Sequence, residues 1–292
     1  MTTTTFKVGD MTVHRIIEME CGFTPALEFL PKLTPELLAE NREWLRKPEA
    51  LDDQDRLVLC FQSYVLQTGR HNILVDSCVG NDKDRPLRPL WHQKKDNVFM
   101  QGLADIGLSV HDIDFVLCTH LHVDHVGWNT RLENGRWVPT FPNARYLFSK
   151  TELDFWLAEN AKETVPPIAD SVIPILEAKR ADLVRSDHSL NDLVSLIPTP
   201  GHTIDHYAVT IGKGGKDAVI TGDLIHTPLQ ARYPDLAMRI DYDPRQSSAT
   251  RWKFLETYCD TATQCCFAHF PSPSRGYIKR WGDGFKCEYI TG

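Results

Sequence analysis

Thr119-His120-Leu121-His122-Val123-Asp124-His125-Val126-Gly127 is the stretch from which the rest of the chain is read. The apolar run Phe115-Val116-Leu117-Cys118 leads into it and predicts a short buried strand. In an extended chain, residues two apart point to the same side, so His120 and His122 can address one metal together. Asp124 and His125 follow once the chain bends, Gly127 permits the turn, and the pair can address a second metal nearby. Imidazole nitrogen and carboxylate oxygen are donors that zinc accepts, and manganese, iron or cobalt also fit them. The plainer alternative is a polar surface loop that happens to be rich in histidine.

Three later segments repeat the pattern. SLIPTPGH places His202 just after an apolar run, AVITGD does the same for Asp223, and CCFAH for His269. Ligands and reacting groups in α/β folds collect at such strand ends. One histidine after a strand is ordinarily a surface or hydrogen-bonding residue. Four such segments in one chain argue for a metal centre.

The rest of the sequence is consistent with an α/β enzyme. TFKVGDMTVHRIIEME alternates like a strand pair that ends before Gly22, and LVLCFQSYVLQTG and NILVDSCVG read as strands around a turn at Gly69–Asn72. LTPELLAENREWLRK reads as a helix capped by Thr34 with Pro35 in its first turn. VFMQGLADIGLS, TELDFWLAENA with a threonine cap, and SSATRWKFLETYC read as further helices between apolar strands. Such interleaving predicts an α/β architecture. We expect one domain over 1–292, with a Pro-rich helical excursion at about 25–50 marked by Pro25, Pro31 and Pro35.

Composition bounds the function. The chain has 292 residues, 42% hydrophobic and 24% charged, enough to bury a core without staples. Its net charge of −7 disfavours a nucleic-acid partner. MTTTTFKVGDM lacks a basic segment followed by an apolar one, so no secretory signal is expected, and no apolar run approaches about 18 residues, so no membrane span is expected either. Eight cysteines without a C-x-x-C pair read as reduced thiols in a cytoplasmic protein.

Taken together, H-x-H-x-D-H, G-H-T-x-x-H, T-G-D and a late histidine after a strand resemble the metallo-β-lactamase superfamily over nearly the whole chain. The resemblance implies an αββα four-layer sandwich with two divalent metals at one edge, most simply zinc. By matching motif it assigns His120, His122 and His202 to one metal, Asp124, His125 and His269 to the other, and Asp223 as the bridge. The superfamily's earlier Asp-x-Gly reads LVDSCVG here, so Asp76 matches while Cys78 stands in the glycine's place. Asp76 is then a candidate acceptor for the far N–H of a ligand histidine, and His206 a candidate for orienting its loop. Two divalent cations, two carboxylates and a bridging hydroxide leave about one positive charge, enough to ionise water near neutral pH. No Ser or Cys nucleophile is needed, and no G-x-S-x-G elbow is present.

HVDHVGWN, PTFPNARYLF, TGDLIHTPLQ, DYDPRQSSATR and HFPSPSRGYI are similar to the branch that holds methyl parathion hydrolase and its lactonase relatives. Acyl-homoserine-lactone lactonases typically carry a tyrosine three residues after the bridging Asp. Here that position is His226, a candidate hydrogen-bond donor or proton shuttle. The expected activity is opening of a lactone or ester by the bridging hydroxide, with Asp124 carrying the proton to the leaving group. Alternatives are an organophosphate or aryl ester hydrolase, a glyoxalase II-like thioesterase, and a mono-iron sulfur dioxygenase in which the Asp-His pair supports a single iron. The expected partner is a small-molecule substrate, with no nucleic acid and no membrane. Phe23, Phe29, Trp44, Trp91 and Trp128 are candidates to border the substrate, and the 25–50 excursion either covers the site or packs on a second copy in a homodimer.

Overall fold

Apolar runs and alternating segments form sixteen strands in the computed structural model, which describes residues 2–290. The chain falls into two compact units, one of residues up to 18 and 61–185, the other of residues 19–60 and from 186 onward. The strands form two seven-stranded sheets and one separate hairpin.

The first sheet is built from β1 (Thr3–Val8), β2 (Met11–Pro25), β3 (Arg56–Gln67), β4 (Asn72–Val75) and β5 (Phe115–Leu117). After β6 (Thr130–Glu133) and β7 (Arg136–Pro139), which pair only with each other, it gains β8 (Arg145–Ser149) and β9 (Ala181–Val184). β4, β5, β8 and β9 run parallel, the first three as short apolar runs that are largely buried. Parallel neighbours need crossovers. Helix Val98–Asp105 supplies one between β4 and β5, and helix Lys150–Lys162 supplies another between β8 and β9. Phe99 and Leu103 on the first helix and Leu153 on the second join Val65, Leu74, Val116 and Phe148 in one buried cluster.

The second sheet takes β10 (Ser189–Asn191), β11 (Val194–Pro198), β12 (Tyr207–Ile211), β13 (Ala218–Ile220), β14 (Gln264–Cys266), β15 (Arg275–Trp281) and β16 (Gly284–Tyr289) in chain order. Only β13 and β14 are parallel. Helix Pro244–Tyr258 lies between them, its N-terminus capped by Asp243, whose carboxylate accepts from the Arg245 and Gln246 amides. Phe254 and Leu255 of that helix pack with Val219, Cys265, Ile278 and Phe285.

The expected helix after Thr34 is present as Pro35–Arg46, with the threonine hydroxyl accepting from the Leu37 amide. Two local expectations change. β2 does not stop before Gly22 but continues to Pro25, because Gly22 serves a close approach rather than a turn: a Cβ there would lie 2.1 Å from Asp52 Oδ2. Helix Lys150–Lys162 is capped by Ser149 rather than by Thr151, the Ser149 hydroxyl accepting from the Glu152 amide. All eight cysteines are free, and five are buried. Among the described residues, no helix is long and apolar enough to cross a membrane.

Lys83, fully buried in the first unit, ties the 81–95 loop to the β6–β7 hairpin. Its ammonium donates to Thr130 Oγ1 at 2.7 Å, lies 3.6 Å from Asp170 Oδ1, and sits 3.6 Å above the Trp137 ring. Burial is the largest influence on its pKa and lowers it from 10.5 to about 7, against the pull of Asp170. Between pH 7 and 10.5 the unfolded chain therefore binds more protons at this residue than the folded one, so stability gains from rising pH in that window. We predict a Lys83-dependent slope approaching about 1.4 kcal/mol per pH unit. Urea unfolding at pH 7, 8 and 9 should show it, and Lys83→Met should flatten it.

Candidate metal centre

In the first unit, β4 and β5 are parallel with Val75 opposite Leu117, so both chains leave the sheet side by side at Asp76 and Cys118. The Asp76 amide donates to the Leu117 carbonyl at 2.8 Å. Asp76 Oδ1 accepts the Thr119 amide at 2.8 Å, and Asp76 Oδ2 accepts the Thr119 hydroxyl at 2.9 Å. With its single proton spent there, the Thr119 oxygen accepts from His120 Nδ1 at 3.1 Å. Asp76 Oδ2 also accepts from His125 Nδ1 at 2.9 Å. One carboxylate thus orients two histidines, one directly and one through a threonine.

The rings of His120 and His122 lie 4.6 Å apart, and those of His120 and His125 4.1 Å apart. Asp124 Oδ2 is 3.9 Å from His125 Nε2. His120 and His125 are buried, while His122 and Asp124 are partly open. β5 ends at Leu117, so strand periodicity is not what aligns His120 with His122. A loop does it, braced by Glu152, which accepts from the Leu121 amide and from Trp156 Nε1, with the Trp156 ring edge-on to His122.

In the second unit, Asp223 follows β13, His269 follows β14 and His202 follows β11, as the sequence predicts. His269 Nε2 lies 2.9 Å from Asp223 Oδ1, while His202 Nε2 and His226 Nε2 lie 3.3 and 3.0 Å from Asp223 Oδ2. The far nitrogens of two of these rings are committed elsewhere. His269 Nδ1 donates to the Cys60 carbonyl at 2.9 Å, and His202 Nδ1 to Asp241 Oδ1 at 2.8 Å. His206 Nε2 accepts the Asp223 amide at 2.9 Å and its Nδ1 donates to Thr199 Oγ1, so His206 fixes the bridging candidate's backbone.

These tautomers test the fit of a cation. A neutral ring whose Nδ1 bears the proton presents only a lone pair at Nε2. For His269 and His202 that lone pair faces a carboxylate oxygen at 2.9 and 3.3 Å, an arrangement that repels unless a cation lies between them or the ring takes a second proton. The donors therefore suit a divalent cation held by imidazole and carboxylate. Burial opposes a charge on His202, but Asp223 and Asp241 raise its pKa to about 9. Burial dominates at His226 and lowers its pKa to about 4, so that ring is neutral. Asp223, His226 and His269 offer ligand atoms all within 4.8 Å of one another.

Sequence reasoning missed Asp241, which lies 39 positions from its partner His202, and Arg251, fully buried and 3.9 Å from Asp241. It also missed the Cys60 carbonyl, which no side-chain motif can announce. Of the aromatics proposed to border the substrate, Phe29 packs edge-on to His226 at 5.5 Å. Trp128 belongs to the core, stacked on Phe99, because its indole N–H donates to buried Glu18. Trp91 is buried edge-on to Phe61, and Trp44 packs on Trp281.

A family profile described as the metallo-β-lactamase superfamily matches residues 62–269. The chain belongs to this superfamily. Within the metallo-β-lactamase superfamily it is similar to a "Probable metallo-hydrolase" of Methanocaldococcus jannaschii, 31% identical over 128 residues, covering 44% of this chain and 45% of that protein. It is also similar to an "N-acyl homoserine lactonase" of a Bacillus species, 24% identical over 161 residues, covering 51% of this chain and 56% of the relative. The chain thus spans about half the length of these curated relatives. Among solved structures, AidC, described as a dizinc quorum-quenching lactonase in complex with a product, superposes with a TM-score of 0.80 at 23% identity. That superposition covers 99% of this chain and 98% of AidC, so the metallo-β-lactamase fold expected from the motifs is present over its full extent.

Asp241 supplies the prediction specific to this metallo-β-lactamase chain. Asp241→Asn removes the charge that holds the His202 tautomer and should weaken uptake of a divalent cation, with zinc as the probe, by about 10- to 100-fold. Competition with a chromophoric chelator measures this, and the global fold should persist by circular dichroism.

Proposed function

We propose that this chain is a cytoplasmic metal-dependent hydrolase that opens lactones. Its ligand set would be His120, His122, Asp124 and His125 from the first unit with His202, Asp223 and His269 from the second, holding two divalent cations, most simply zinc. The observation that carries the reading is the convergence of imidazole Nε2 atoms on the Asp223 carboxylate with their Nδ1 protons committed elsewhere. Superfamily membership supports the ligand assignment, and the lactonases among its relatives support the substrate. The eight free thiols suit a reducing compartment.

Bound cations would supply an ionised water and polarise the substrate carbonyl. The chain's own groups do the rest. Asp124, partly open, would take the proton of the attacking water and return it to the departing alkoxide, so that the acyl C–O bond breaks and a carboxylate and a hydroxyl remain. His226, neutral and packed against Phe29, lends a hydrogen bond without adding charge. His206 and Asp241 hold Asp223 and His202 in register. A second reading, aryl ester or phosphotriester hydrolysis, draws on His226 itself, because a histidine stands where the lactonases carry a tyrosine.

Metal-replete protein assayed in parallel on N-acyl homoserine lactones, aromatic lactones, aryl esters and paraoxon separates these readings. The lactones should give the highest kcat/KM, and Asp124→Asn should lower kcat by about 10²- to 10⁴-fold. One iron per chain with oxygen consumed in the presence of a persulfide would overturn the hydrolase reading in favour of a dioxygenase.

A further inference from the structure

The turn that carries Asp76 is built on an unfavourable backbone. Asp76 and Cys78 both adopt left-handed conformations, with φ of 57° and 47°, and neither is glycine. A glycine at 78 would hold this shape freely, whereas a cysteine needs it imposed. The imposing contacts are on three sides. The Ser77 amide donates to the His125 carbonyl at 2.8 Å, the Gly127 amide to the Cys78 carbonyl at 2.8 Å, and the Trp128 amide to the Ser77 carbonyl at 2.7 Å. Gly127 is required for this approach, since a Cβ there would lie 1.9 Å from the Val79 carbonyl oxygen.

The third side is a buried carboxylate outside the ligand motifs. Glu18, on β2 and with a fully buried side chain, accepts from the Val79 amide at 2.8 Å, from Trp128 Nε1 at 2.6 Å and from the Lys94 ammonium at 2.9 Å. Lys94 is itself tied to Asp96 at 3.0 Å and to Asn81 Oδ1 at 2.9 Å. A buried carboxylate is tolerated only when its charge and lone pairs are met, and here they are met by Lys94, by Trp128 and by the Val79 end of the strained segment. We propose that Glu18, neutralised by Lys94, is a positioning residue that clamps the Asp76–Val79 turn and so fixes the Asp76 carboxylate against His125 and Thr119, replacing the freedom that a glycine at 78 would give.

The inference rests on the reading of His125 as a metal ligand, and its test keeps the two apart. Glu18→Gln keeps the size, removes the charge, and turns an amide nitrogen toward one of the three donors. In full-length protein without metal, it should speed hydrogen exchange at the Val79 amide at least tenfold. On zinc titration, one equivalent should weaken by about 10- to 100-fold while the other is retained. Cys78→Gly in the same chain should restore both, because the turn then needs no clamp, and Cys78→Gly alone reports what the lost side chain costs. Unchanged exchange and affinity in Glu18→Gln, equal weakening of both equivalents, or no rescue by Cys78→Gly overturns the proposal. If Glu18→Gln does not fold, Trp128→Phe removes one of the three donors and carries the same readouts. A parent protein that binds no zinc sinks the metal reading, while Val79 exchange still decides the clamp.

Discussion

The Nδ1 proton of each oriented histidine is committed before any cation arrives. Asp241 holds it on His202, the Cys60 carbonyl on His269, Asp76 on His125 and Thr119 on His120. This choice of tautomer also turns the Nε2 atoms of His202 and His269 toward Asp223 in the second unit. Nothing in the packing of the sheets requires such a choice. It makes sense as preorganisation for an electrophile, since Nε2 is the ring nitrogen left to hold one.

Strand termini make that preorganisation possible. Each unit has a parallel pair whose strands end level with one another, β4 with β5 at the start of a run of four parallel strands and β13 with β14 in the otherwise antiparallel second sheet. In the first unit this brings Asp76 beside the start of the histidine segment, so one carboxylate reaches Thr119 and His125 at once. In the second it brings the residues after Ile220 beside those after Cys266, so Asp223 meets His269. The crossover helices, packed on those strands by Phe99, Leu103, Phe254 and Leu255, keep the strand ends from shifting.

This division explains what could be read from the sequence. The ligand candidates were legible because their chemistry is local: a histidine or aspartate one to four residues beyond an apolar run is visible without any knowledge of tertiary pairing. Asp76 was legible through the resemblance, as the match to the superfamily's Asp-x-Gly. Asp241 and Glu18 were not, because each acts on a residue 39 to 110 positions away and sits in an ordinary-looking segment. Trp128 misled because its place next to the histidine motif suggested substrate contact, while its indole N–H needed a buried acceptor and found Glu18. Helix and strand existence followed from apolar periodicity. Exact ends did not, since Ser149 and Thr151 are both competent caps and only packing chooses between them.

Charge around Asp223 sets the last constraint. Three imidazoles face this carboxylate; against burial, Asp223 and Asp241 raise the pKa of His202, and burial drives that of His226 the other way. Here His226 stacks parallel to His269 at 5.3 Å, so two positive rings in that place would repel each other in a dry environment. The neutral state of His226 follows from that crowding and from its burial. His202 is then the ring that meets the Asp223 charge, while neutral His226 gives the same carboxylate oxygen a hydrogen bond at 3.0 Å without a second charge.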